Sequence, residues 1–167
     1  PSGYSPPTQG AHLVVALTIF SLLVSTALSA RAGSGGDPPL GRIRRALLVA
    51  LAALLVSAVA SRVVTPIPYS PSAQAVFYGA ALVAVAALLA ATRWLADSPV
   101  PHLRPVTGSA LAFLFAAMLL GRDLVFYTST VRLVNAAAFL FAVAAVVAAT
   151  VLARRARTGG HTGSVAG

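Results

Sequence analysis

Five stretches of this chain carry almost no charge, and that constrains the fold more than any other feature. Ala11–Ala30, Ala46–Val64, Ala73–Thr92, Val106–Gly121 and Val131–Ala153 are predominantly apolar, and their only histidine or charged side chains, His12, Arg62 and Arg132, lie near their ends. A helix of about 20 apolar residues crosses a hydrocarbon core of roughly 30 Å. Each stretch is therefore expected to be a transmembrane span, and lipid is the expected solvent for most of the chain. The segments between them suit turns. RAGSGGDPPLGRIRR, TPIPYSP and RWLADSPVPHLRP hold the glycines, prolines and charges that stop a helix.

Residues 107–153 cannot form one span, because at about 1.5 Å per residue they would reach roughly 70 Å. A break is required, and LLGRDLVFYTSTVR (119–132) is the polar place for it. The fold expected is thus all-α, a polytopic transmembrane helical bundle of about five spans over residues 1–153. A disordered, basic and Gly-rich cytoplasmic tail, 154–167, is expected to follow. The chain opens on Pro1, and its one methionine, Met118, lies inside an apolar run, so it reads as a fragment or a processed chain. Residues 1–10 lack the basic segment of a signal peptide and read as an inter-helix loop.

Charge then sets the topology. Only 9% of the 167 residues are charged, against about 25% in an ordinary soluble domain. All twelve basic residues are arginine, and the formal charge is +9. In a soluble protein that excess would suggest nucleic acid. Here the arginines fall between apolar runs, which makes them a topological signal and gives no reason to expect a nucleic-acid partner. Arg31, Arg42, Arg44, Arg45, Arg93, Arg104, Arg154, Arg155 and Arg157 lie on one side of a five-span arrangement; Arg62, Arg122 and Arg132 lie on the other. The positive-inside rule puts the larger group in the cytoplasm. The chain then starts outside a plasma membrane and ends inside, with the break at 121–132 facing outward.

The residues offer no active site of their own. With no cysteine, disulfides and thiolate metal ligation are excluded. Asp37, Asp97 and Asp123, the only acidic residues, are scattered. His12 and His102 fall on opposite sides of the membrane, so they do not suit a shared haem iron, and His161 belongs to the tail. YSPPTQ at 4–9 recurs as YSPSAQ at 69–74, each before an outward-facing helix start. Proline costs little in a first helical turn, and Tyr4 and Tyr69 suit interfacial anchors. The outer boundary collects Arg62, Arg122, Asp123 and Arg132 with Tyr69, Phe126 and Tyr127. Neighbours 122 and 123 point to different helix faces, so Asp123 is placed to meet Arg62 or Arg132. This group reads as an interfacial stop signal, a docking surface for an extracytoplasmic partner, or part of a quinol site.

Leu119-Leu120-Gly121-Arg122-Asp123-Leu124-Val125-Phe126-Tyr127 resembles the Leu-x-Gly-Arg-x-x-Phe-Tyr pattern that closes the last span of the dimethyl sulfoxide reductase membrane anchor subunit family. It has one more residue between Arg and Phe than that pattern and lacks a preceding Glu. YSPPTQGAHLVVALTIFS also looks like the start of that family's fifth span. The resemblance covers residues 4–132 as spans five to eight of an eight-span subunit, leaving 131–153 as an extra C-terminal span. It implies a haem-free anchor that binds menaquinol and passes electrons to an iron–sulfur subunit, and thence to a molybdopterin catalytic subunit. It also implies that the quinol-site histidine and acid belong to earlier helices. Arg122, Asp123, Phe126, Tyr127, Arg62 and His12 are the residues expected to contact quinol or partner. The alternatives are a small transporter or permease fragment and a structural membrane protein. Polar residues at mid-span, Ser21, Ser25, Thr26 and Ser57, more often satisfy helix backbone or pack closely than bind a transported solute.

Overall fold

A computed structural model describes residues 6–31, 40–64, 71–98, 100–120 and 129–159. Every regular element among them is helical: α1 (Pro6–Arg31), α2 (Leu40–Val64), α3 (Pro71–Ala96), a short 3-10 turn (Pro101–Leu103), α4 (Arg104–Leu120) and α5 (Ser129–Gly159). Three of them contain stretches long and apolar enough to cross a membrane: Leu40–Ala60, Gln74–Ala96 and Leu133–Arg155, with mean hydropathies of 2.1, 2.2 and 2.5. Val14–Leu28 and Arg104–Leu120 are shorter apolar helical stretches.

The boundaries follow from local chemistry. Pro6, Pro71 and Pro105 fall in first turns, where a missing N–H leaves no helical bond unmade. Beyond α3 the Ser98 hydroxyl donates to the Leu95 carbonyl (3.0 Å) and accepts from the Val100 N–H (3.3 Å). This side chain supplies bonds that the helix no longer can, between α3 and the turn that leads to α4.

Two helices reach further than the apolar runs alone suggest. α2 begins at Leu40, so Arg42, Arg44 and Arg45 lie on its first turns instead of in a loop. Past Pro39 nothing in Gly-Arg-Ile-Arg-Arg breaks a helix, and Ile43 starts the buried stripe that Leu47 continues. α5 runs to Gly159, past Ala153, so Arg154 and Arg155 are helical. Arginine is a good helix former and is favoured near a C-terminus, where the helix dipole is negative.

α2 packs along α3, α3 against α4, α4 against α5, and α5 back onto α2, while α1 lies outside this set, mainly on α3. The four inner helices each present a stripe with helical spacing. Ile43, Leu47, Ala50, Leu54 and Ser57 form it on α2, and Ala81, Ala84, Leu88, Ala91 and Leu95 on α3. Thr107, Ala110, Leu114 and Ala117 continue it on α4, and Asn135, Ala138, Ala142, Val146, Ala149 and Ala153 on α5. So many alanines let the backbones approach closely, the usual way helices gain contact area where lipid removes the hydrophobic drive between them. The opposite faces are equally apolar but exposed, including Leu133, Leu140 and Phe141 on α5 and Val49, Val56 and Val59 on α2. On α1 Leu17 is buried whereas Val14, Val15, Ile19, Leu22 and Leu23 are exposed. An apolar exterior over an apolar interior is the distribution expected of helices solvated by lipid.

Candidate functional site

Neighbouring inner helices run antiparallel, which gathers chemistry at two opposite ends. The C-terminal ends of α2 and α4 meet the N-terminal ends of α3 and α5, and there polar groups join helix to helix. The Ser57 hydroxyl donates to the Phe77 carbonyl (3.0 Å), linking α2 to α3. The Asn135 amide Nδ2 donates to the Ala117 carbonyl (2.8 Å), linking α5 to α4. Ala117 belongs to the last turn of α4, where carbonyls run out of helical donors. Both Ser57 and Asn135 are buried. The Phe77 ring is buried, edge-on to its neighbour Tyr78 (centroids 4.8 Å) and to Phe139 of α5 (6.0 Å). Edge-to-face geometry sets positive ring edges against negative faces. The half of the molecule where α4 ends and α5 begins thus holds a largely buried aromatic cluster flanked by two interhelical hydrogen bonds.

Nearer the opposite end a third polar link joins α3 and α4. The Thr92 hydroxyl donates to the Thr107 hydroxyl (3.0 Å), which in turn donates to the Arg104 carbonyl (2.9 Å). Thr18, Ser109 and Thr150 instead bond the carbonyl four residues back in their own helices. Arg42, Arg44, Arg45, Arg93, Arg104, Arg154 and Arg155 all fall in the terminal turns that meet at this end. Arg93 pairs with Asp97 at 2.6 Å across one helical turn, both side chains being exposed. Trp94, half-buried against the core, and exposed His102 share this end.

The residues expected to form the site are placed unevenly. His12 lies on α1, Arg62 in the last turn of α2 and Arg132 in the first turn of α5. Their side chains lie outside the described set, as do Tyr4, Tyr69 and Arg122, Asp123, Phe126 and Tyr127 in whole. Whether Asp123 meets Arg62 or Arg132 therefore falls outside the described residues. Among those described, no three His, Cys, Asp or Glu side chains gather as a metal site would require.

No family model, curated protein or solved structure matches the chain. The site rests on the residues themselves. Asn135, Thr92 and Thr107 were not among the expected polar groups, and among the described residues they make two of the three interhelical side-chain bonds given above. Asn135 carried a signal, being the chain's only asparagine and lying inside an apolar run. Ser57 was expected to satisfy helix backbone, and the backbone it meets belongs to the next helix.

Proposed function

We propose that this chain is a five-span subunit of the plasma membrane, with its N-terminal end outside and its C-terminal end in the cytoplasm. We further propose that it anchors a dimethyl sulfoxide reductase-like complex. In that role its outward end binds menaquinol, and the electrons pass to an iron–sulfur subunit and on to a molybdopterin subunit. The quinol's protons leave on the side where it is oxidised. The chain itself performs no bond chemistry on the terminal substrate.

The observation that carries the membrane part is the apolar exterior of α2, α3 and α5, with arginine concentrated in the terminal turns at one end and only Arg62 and Arg132 in those at the other among the described residues. The redox part rests on LGRDLVFY (120–127) and its resemblance to the anchor family. The Phe77, Tyr78 and Phe139 cluster, in the half of the bundle where α4 ends and α5 begins, supports it, because aromatic edges and faces suit the flat ring of a naphthoquinol. The polar groups at the helix contacts favour an anchor over a transporter. Ser57, Thr92, Thr107 and Asn135 are engaged between helices, whereas a transporter places such groups around a mid-membrane substrate site.

Mild-detergent purification of the tagged chain from its native membrane tests the reading. An iron–sulfur protein should accompany it, and menaquinol should reduce that protein's clusters. Arg122→Ala should then lower quinol oxidation or weaken the complex. A preparation with no redox partner, or one whose quinol oxidation and assembly ignore the substitution, overturns the anchor role.

A further inference from the structure

The arginine-bearing end has a feature that topology alone does not account for. Arg42, Arg44 and Arg45 sit on the first turns of α2, where the helix dipole is positive and cations are disfavoured. No acidic residue occupies that first turn, and neither α2 nor α5 contains an Asp or Glu anywhere. α5 packs against α2 and brings Arg154 and Arg155 to the same end. The register agrees. Ser57 bonds the Phe77 backbone and the Phe77 ring meets Phe139, so these three mark one level of the packing. Fifteen residues further toward the basic end come Arg42 on α2 and Arg154 on α5. Arg42, Arg45 and Arg154 are exposed, and Arg44 is half-buried. At the α3–α4 side of the same end, by contrast, Asp97 already pairs with Arg93. Among the described residues, positive charge thus gathers where the N-terminal turns of α2 and the C-terminal turns of α5 meet, on two helices whose own sequences contain no carboxylate.

We propose that the α2–α5 seam binds the phosphodiester headgroups of anionic phospholipids, with Arg42, Arg45 and Arg154 as the principal donors. The guanidinium fork matches phosphate oxygens in pairs. A headgroup seated there would also meet the positive end of α2. The lipid is favoured over a soluble anion because the apolar outer faces of the same two helices, including Leu48, Val49, Val151 and Leu152, continue from the arginines toward the other end. They give acyl chains a surface that free phosphate would not use. The proposal rests on the membrane reading but not on any redox role.

The test measures how many phosphatidylglycerol and phosphatidylcholine molecules stay bound to the intact chain after extraction from mixed vesicles, by native mass spectrometry. The wild-type chain should retain phosphatidylglycerol preferentially. Each arginine near the surface contributes about fivefold to such binding, so R42Q/R45Q/R154Q should lose roughly a hundredfold. The matching triple Lys variant should keep most of the preference. An undiminished preference in the triple Gln variant overturns the site. Displacement of the lipid by inorganic phosphate shows a free-anion site and also overturns it. So does co-purification of an acidic protein in place of lipid. Helicity and thermal unfolding report whether the variants fold. If they do not, a salt titration of the wild-type chain decides, because the phosphatidylglycerol preference must fall as ionic strength rises. Alkaline carbonate extraction separates the two readings. A chain released from membranes sinks both, while one that stays embedded without lipid preference sinks this site alone.

Discussion

Asn135 shows how much one polar side chain does in an apolar interior. Its amide reaches the Ala117 carbonyl in the last turn of α4 and ties together the two helices that precede and follow residues 121–128. Removing it leaves a carbonyl short of a donor in a place water does not easily reach, yet the unfolded helices in a membrane also find partners, so the loss stays modest. Asn135→Ala should cost about 1 kcal/mol, and Ser57→Ala a similar amount. Phe77→Ala should cost more, about 3 kcal/mol or above, because it opens a cavity between α3 and α5. Thermal unfolding in detergent or bicelles measures all three. If Asn135→Ala matched an exposed control such as Leu140→Ala, the bond to α4 would carry no weight.

At the scale of the element, glycines inside the helices invite the opposite experiment. Gly79 in α3 and Gly108 in α4 have open space where a Cβ would sit. Alanine there should stabilise the helix by about 0.5–1 kcal/mol, because glycine loses more backbone entropy on folding and nothing must move to admit a methyl group. Gly79→Ala and Gly108→Ala should therefore each raise the unfolding temperature, and a decrease would show that a partner occupies those open positions. The helices themselves were legible in the sequence, since apolar runs bounded by Pro and Gly leave few alternatives. Their ends were less so. Hydropathy alone starts α2 at Ala46 and ends α5 at Ala153, because it counts arginine as loop. Arginine is a good helix former, and the buried stripe from Ile43 extends the packing below Ala46. The interhelical bonds of Thr92, Thr107 and Asn135 were not legible either. Which helix a hydroxyl or amide faces depends on the pairing of helices, and hydropathy says nothing about that pairing.

For the whole molecule the decisive question is which end faces the cytoplasm, and the sequence supplies a clean way to ask it. The chain has no cysteine, so any introduced thiol is the sole site for a maleimide. Asp97 is exposed just beyond α3 at the arginine-bearing end, and Thr130 is exposed at the start of α5 at the other. The positive-inside rule places Asp97 in the cytoplasm and Thr130 outside. A membrane-impermeant maleimide added to intact cells should therefore label Thr130→Cys at once and Asp97→Cys only after permeabilisation. The pair also tests the span count between them. Among the described residues from Asp97 to Thr130 the one apolar helix is α4, of 17 residues, about 25 Å long and so slightly short of a hydrocarbon core of roughly 30 Å. If α4 crosses, with the bilayer thinning or the helix ends reaching into the headgroups to make up the difference, the two thiols must respond oppositely. If α4 only enters the membrane and returns, both label from the same side, and the outward position of Arg122 and Tyr127 falls with it.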